Sequence, residues 1–272
     1  MKFQNLSSKA FSSIIGLDDV KKQLSSALLI GRHIVLIGAP GMGKTTLVKD
    51  LANIIEPQEL NNCGFHCSSK NPVCPYCISA KNNKEKKIST KTFTGEELFV
   101  RVQGSPDLTV EDLIGDIDPI KAMEYGPLSP QAFTPGKLFK ANNGILFFDE
   151  LNRCSQRLQN ALLQVLEEKK ITIGSFDVDV SVDFIFVGTM NPQDTNTEPL
   201  SDVLLDRFDL IYVHYPNKQA DEEEIIKKRG VSILPFPQKL CSSMVGFIRN
   251  LRTNPDLEKV PSVRATIGLY ER

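Results

Sequence analysis

The stretch that most constrains this 272-residue chain is Ile34 to Thr46, IVLIGAPGMGKTT. Four consecutive apolar residues, Ile34 to Ile37, read as a strand buried on both faces. They run directly into Gly38-x-x-x-x-Gly43-Lys44-Thr45, and helix-forming residues follow. Glycines at 38, 41 and 43 let the backbone curl until successive N–H groups point inward, and the helix behind adds the positive end of its dipole. Such a loop cradles phosphates, so Gly38, Ala39, Pro40, Gly41, Met42, Gly43, Lys44, Thr45 and Thr46 are the expected nucleotide contacts. Lys44 supplies a mobile point charge for the β- and γ-phosphates, and the Thr45 hydroxyl a ligand for Mg²⁺.

A second apolar run, Ile145 to Phe148, ends in Asp149-Glu150. On a parallel strand beside the first, that end faces the same nucleotide. Asp149 is then placed to hold Mg²⁺ through its water shell, and Glu150 to orient and deprotonate an attacking water. Acidic pairs at strand ends are common, and this one gains meaning from the phosphate loop upstream. Asp183 to Thr189 reads as another buried strand, ending at Met190-Asn191-Pro192, where the uncharged Asn191 amide can sit between water and γ-phosphate without competing for the metal ion. Asn-Pro is equally a good turn. Leu98 to Val102 alternates as a strand, and the segment Leu204 to Asp209 leads into a strand from Leu210 to Val213. Arg207 there is either a local ion-pair partner or a side chain projecting onto a neighbouring subunit's nucleotide.

The predicted fold is therefore α/β, a five-stranded parallel sheet with strands near 34, 98, 145, 183 and 210, flanked by helices. An amphipathic helix is expected within Phe11 to Arg32, capped by Asp18, and one from Lys44 to about Ile55, because Pro57 cannot continue it. A short helix is expected within Asp107 to Gly115, another at Arg157 to Glu168, and a hairpin from Ile171 through Gly174, Ser175 and Phe176 to Val182. The irregular segment 116 to 140, interrupted by a helical Pro119 to Tyr125, is too long for a simple connection and reads as a working loop. Residues 1–215 form the nucleotide-binding unit, and 216–272, with polar helical stretches and Pro235-Phe236-Pro237, a linker and partial helical lid.

Residues 60 to 95 differ in character. They carry Cys63-x3-Cys67-x6-Cys74-x2-Cys77, with Pro72 and Pro75 forcing turns. Two close cysteine pairs can each grip one side of a tetrahedral ion, so a structural Zn²⁺ site is favoured over four reduced thiols in a loop, with His66 as a substitute ligand. Cys154 and Cys241, isolated, read as packed residues. The same segment holds Lys70, Lys81, Lys84, Lys86, Lys87 and Lys91 against Glu85, a local excess of five positive charges. The charge of four thiolates on Zn²⁺ offsets part of it. A formal net charge of -1 offers no general attraction to nucleic acid or anionic lipid. No run approaches the roughly 18 apolar residues of a membrane span, and Met1 to Ala10 has no apolar signal core, which argues for a cytoplasmic protein without membrane contacts.

In their order and spacing, GAPGMGKT, ILFFDE, GTMNP and LLDRFD resemble the AAA+ ATPase module over residues 14 to 215. RVQGSPDLTVEDLIGDID and DELNR are similar to MoxR-type ATPases, and IGDIDPIKAM with AFTPGKLFKANNGILFFDE to the ATPase subunit of magnesium chelatase, a member of the same clade. The resemblance implies ATP as substrate and Mg²⁺ as its partner ion. It makes Lys44 and Thr45 the Walker A residues, Asp149 and Glu150 the Walker B pair, Asn191 sensor 1, Arg207 an arginine finger acting on the adjacent subunit, and Arg264 within Pro261 to Ala265 a sensor 2 contact to the γ-phosphate, in cis or in trans. It puts Ile15 and Gly16 beside the adenine and Arg153 at a subunit interface. It also implies a homo-oligomeric ring, a hexamer, that hydrolyses ATP to remodel a protein client or effector subunit, or to drive chelatase-type metal insertion. Arg272 follows Arg264 by only eight residues, where the resemblance implies a longer lid, so a truncated chain is expected. A DNA translocase, using the lysine-rich insert and the 171 to 182 hairpin for phosphate contacts, and a nucleotide-gated scaffold with little turnover are the alternative readings.

Overall fold

The computed structural model describes residues 11–82, 88–127, 129, 131–173, 178–194, 197–231 and 237–271. Five strands, β1 (His33–Ile37), β2 (Phe99–Gln103), β3 (Ile145–Asp149), β4 (Ile185–Met190) and β5 (Phe208–Tyr212), form one parallel sheet in the order β5-β1-β4-β3-β2. The chain leaves β1 for the far edge, works back through β3 to β4, and finishes with β5 on the other side of β1. That reversal opens a crevice at the carboxyl ends of β1, β4 and β3, where a ligand of such a sheet binds.

The apolar runs are continuous because both faces of the sheet are covered. On one face Ile34, Leu36, Ile145 and Phe147 pack with α1 (Asp18–Leu29) and α2 (Lys44–Asp50) through Leu24, Leu28, Leu47 and Val48. On the other, Val35, Ile37, Leu146 and Phe148 meet α3 (Gln156–Glu168) through Leu158, Leu162 and Val165. All four residues from Ile145 to Phe148 are fully buried, and truncating Phe147 or Phe148 to Ala would cost about 3–5 kcal/mol.

Several local expectations change. Asp18 does not cap α1: Leu17, at φ 57, holds the cap position without a side-chain bond, and Asp18 lies inside the first turn, where a carboxylate still favours the helix dipole. α2 ends at Asp50 and tightens into a 3₁₀ turn, Leu51–Asn53, short of Ile55. The short helix after β2 is Val110–Ile114, begun by a reciprocal Thr109–Asp112 capping box. Within the loop of 116 to 140, strand Gly115–Ile117 pairs antiparallel with Phe133–Pro135, and helix Pro119–Tyr125 is capped by Asp118. The hairpin pairs Lys170–Ile173 with Val178–Ser181; its turn, with Gly174, Ser175 and Phe176, lies outside the described residues. So do Met1–Ala10, Lys84, Glu85, Lys86, Lys87, Pro235, Phe236 and Arg272.

The cysteine-bearing insert is more ordered than a loop. Gln58–Asn61 pairs antiparallel with Thr90–Phe93, and Pro75–Asn82 forms a helix between them. After β5 come α4 (Gln219–Arg229), α5 (Gln238–Arg252) and α6 (Val263–Tyr270), packed around Ile226, Cys241 and Val245. Glu222 of α4 is fully buried and accepts from Arg252 at 2.5 and 2.9 Å, from Arg249 at 3.3 Å and from the Thr266 hydroxyl of α6 at 3.3 Å. Cys154 and Cys241 are buried packing residues, as expected. Among the described residues no helix is long and apolar enough to cross a membrane.

Candidate active site

The loop after β1 is fitted between neighbours that leave no room for side chains. A Cβ on Gly38 would lie 2.5 Å from the Val213 carbonyl oxygen, and one on Gly41, at φ +76, 2.6 Å from Ser262 Oγ. The first contact seats the loop on the end of β5, and the second sets it against the start of α6. Lys44 Nζ curls over the loop and donates to the carbonyls of Gly38 at 2.6 Å and Ala39 at 2.9 Å. Burial, helped by the Arg264 guanidinium, pushes the Lys44 ammonium down to about 8 against the pull of Asp149 and Glu150. A polyphosphate would replace the carbonyls as its partner and relieve that cost.

Asp149, 7% exposed, closes β3. Its Oδ1 accepts from Thr189 Oγ1 at 2.6 Å, and the Thr45 hydroxyl lies 3.4 Å from both carboxylate oxygens. This hydroxyl–carboxylate pair, all oxygen and beside the phosphate loop, is a donor set suited to Mg²⁺. Arg101 of β2 reaches the same carboxylate at 2.7 Å, with its guanidinium over the Phe147 ring. Glu150, in left-handed conformation at φ 57, is oriented by its N–H to Thr189 Oγ1 at 2.9 Å. Its Oε2 accepts from Gln103 Nε2 at 2.8 Å and pairs with Arg153 at 3.1 Å. Arg153 also holds Asp194 at 2.6 Å, which raises the arginine's pKa; its engagements here are within its own chain. Asn191 follows β4, fixed by Asn152 donating to its carbonyl at 3.0 Å.

These groups line one open cleft of about 400 Å³: Pro40 to Thr46, Arg101, Gln103, Asp149, Glu150, Asn191 and Arg264. Beside it lies a smaller pocket of about 230 Å³ whose wall includes Ile15, Leu17, Met42, Ile225, Val263 and Ile267, apolar and the right size for a base. Of the two residues expected near the adenine, Ile15 lines that pocket, whereas Gly16 turns the other way, against Asp221. Arg264, in the first turn of α6, lines both cavities of its own chain. Arg207 is absent from this assembly: it pairs with Glu167 at the end of α3. Arg101 and Gln103 are the groups that reading the sequence missed. The alternation of Phe99, Arg101 and Gln103 was the available signal, since it puts two polar side chains on one face at the carboxyl end of a parallel strand.

The magnesium chelatase subunit ChlI family model matches residues 10–94, and that of the ATPase family associated with various cellular activities matches residues 80–210. The chain belongs to the AAA+ ATPases, in the MoxR and magnesium-chelatase clade. It is 32% identical over 210 residues to the chloroplastic magnesium-chelatase subunit ChlI of Chlamydomonas reinhardtii, covering 73% of this chain and 46% of that protein. It is 25% identical to YeaC of Bacillus subtilis, covering 95% of this chain and 73% of YeaC. A chain from the complex between subunits BchI and BchD of magnesium chelatase superposes with a TM-score of 0.58 at 25% identity, over 89% of this chain and 73% of that one. This AAA+ chain thus spans about half the length of the chloroplast relative it matches.

Away from the cleft, the AAA+ chain gathers a second constellation. The sulfurs of Cys63, Cys67, Cys74 and Cys77 all lie within 4.8 Å of one another, and the last three are fully buried. Thiolates on one tetrahedral zinc would stand about 3.8 Å apart, with Zn–S of about 2.3 Å. Backbone N–H groups of Val73 and Cys74 point at Cys67 Sγ, and that of Cys77 at Cys74 Sγ, at 3.3–3.5 Å, the donors a metal-bound thiolate accepts. Donation from the neighbouring thiols lowers Cys63, the same hydrogen bonding raises Cys67 and Cys74, and burial raises Cys77. His66, the substitute ligand the sequence offers, stands outside the group with its ring 4.4 Å from Phe93. The knuckle backbone keeps the four sulfurs together and turns the imidazole the other way.

Proposed function

We propose that this chain hydrolyses ATP as one subunit of a homo-oligomeric ring and uses the cycle to remodel a protein partner or to drive chelatase-type metal insertion. The observation that carries the reading is the split between the two halves of the chemistry. Lys44, Thr45, Asp149, Glu150, Asn191 and Arg264 converge on one cleft, while Arg207 stands apart on the surface of the same chain.

In this reading the loop N–H groups and Lys44 bind the phosphates, and the apolar pocket at Ile15 takes the base. Thr45 and Asp149 would hold Mg²⁺, which when bound neutralises charge on the phosphate oxygens. Glu150 takes the proton of the attacking water, Asn191 orients that water, and Arg264 contacts the γ-phosphate from the same chain. Gln103 and Arg153 both hold Glu150 Oε2 in this structure and so orient the carboxylate that acts as base. Arg207, from the adjoining subunit, stabilises charge in the transition state. The four cysteines hold a structural zinc with every position filled by protein, so ATP binding survives its loss.

Two substitutions separate these roles. Glu150→Gln keeps ATP affinity and loses hydrolysis by roughly 10²- to 10⁴-fold, the range of a general base. Lys44→Ala loses binding itself. Equal loss of affinity in both variants, measured by equilibrium titration, would overturn the assignment.

A further inference from the structure

The three residues between Cys63 and Cys67 fit closely against the segment that leads into β3. Phe65 places its ring 4.8 Å from Phe139 and 6.2 Å from Phe133, joining the sulfur cluster to the main core. Gly64, at φ +73, lies so close to Pro135 that a Cβ would stand 3.2 Å from its ring. The Phe65 carbonyl accepts from Asn142 Nδ2 at 2.9 Å and the His66 carbonyl from Asn143 Nδ2 at 2.8 Å. Asn142 Oδ1 in turn accepts from the Asp183 N–H at 2.9 Å, and the Asn143 N–H donates to the Asp183 carbonyl at 2.7 Å. Residues 133–143 are thus gripped from one side by the crown of a short arch and from the other by the lead into β4. Two residues later the same segment becomes β3, which ends in Asp149.

Both ends of the arch are cysteines of the four-sulfur group. Its middle holds His66 at φ 47, a conformation that a non-glycine residue seldom keeps unless its surroundings fix it on both sides. Among the described residues, the cluster beneath the arch is the sulfurs themselves with partly buried Phe65, Val73 and Ile88. Zinc bonds at Cys63 and Cys67 would therefore supply the rigidity that this small cluster cannot. We propose that the four-cysteine centre is a zinc-held latch, with Phe65 as its tongue, that fixes the 133–143 segment leading into the Asp149 strand. The inference rests on the zinc reading above and assigns that ion a task.

Hydrogen–deuterium exchange on the full chain tests it, with zinc content measured on the same samples. Stripping zinc with a chelator under reducing conditions should raise exchange at residues 133–143 roughly tenfold or more, together with that of the insert, while β1 and β4 stay protected. Phe65→Ala should retain one zinc per chain and ATP binding, yet show the raised exchange at 133–143 with zinc in place. If zinc is bound but neither its removal nor Phe65→Ala changes exchange at 133–143, the latch is refuted and the zinc site stands. If protein purified under reducing conditions without chelator carries no zinc, the zinc reading falls and takes the latch with it.

Discussion

At neutral pH the Lys44 ammonium carries a charge that burial has made costly, and its pKa falls from the usual 10.5 to about 8. Because the folded value is the lower one, the group weakens the free fold at pH values below about 8, and the penalty is relieved as pH rises through 8 toward 10.5. Phosphate binding works in the opposite sense, favouring the charged form. Above about pH 8, ATP binding should therefore take up a proton and weaken as pH rises, whereas below it the affinity should be flat with respect to this group. Calorimetric titration in two buffers of different ionisation enthalpy measures both effects, and unchanged affinity with no proton uptake near pH 9 would contradict the role given to Lys44. Residues of this kind were legible in the sequence because the motif is contiguous: strand, glycines, lysine and threonine specify one another. Arg101 was not, since it precedes its partner Asp149 by 48 positions and meets it only because β2 pairs with β3. A single carboxylate gives no hint of which distant cation will reach it.

The same contrast holds between elements. β3 declares itself as four apolar residues, but α4 reads as a mostly polar helix, QADEEEIIKKR, and nothing local marks Glu222 for full burial. Its environment is made by Arg252 and Arg249 of α5 and Thr266 of α6, so the knot exists only once three helices have packed. The insert strands Gln58–Asn61 and Thr90–Phe93 escaped for a related reason: they are short and largely polar, and they pair across nearly thirty intervening residues that include the four cysteines. Removing one member of a buried ion-pair group strands the others, at about 3–5 kcal/mol. Glu222→Ala should lower stability by that amount. It should also weaken ATP binding, because α6 carries Arg264 and presses Ser262 against Gly41. Thermal unfolding and nucleotide titration together check this. A stable Glu222→Ala protein with normal affinity would show that the helices after β5 do not position Arg264.

For the molecule as a whole, continuous apolar runs announced a parallel sheet of five strands, yet not its order, which is decided by where the crossing helices lie. That order brings the carboxyl ends of β1, β4 and β3 together and leaves Arg207, at the start of β5, on another face, engaged with Glu167. Both partners are well exposed, 44% and 39%, so freeing Arg207 costs about 1 kcal/mol or less, little beside what an arginine can return at a neighbour's nucleotide. A site completed by the next subunit implies that neither half of the chemistry suffices alone. The decisive measurement is hydrolysis by mixtures of Arg207→Ala and Glu150→Gln chains, each nearly inactive by itself and each able to bind ATP. Mixed rings should recover activity at the junctions where an intact Arg207 faces an intact Glu150, with a maximum near equal proportions. Activity no greater than the sum of the separate variants, with subunit exchange demonstrated, would contradict a shared active site.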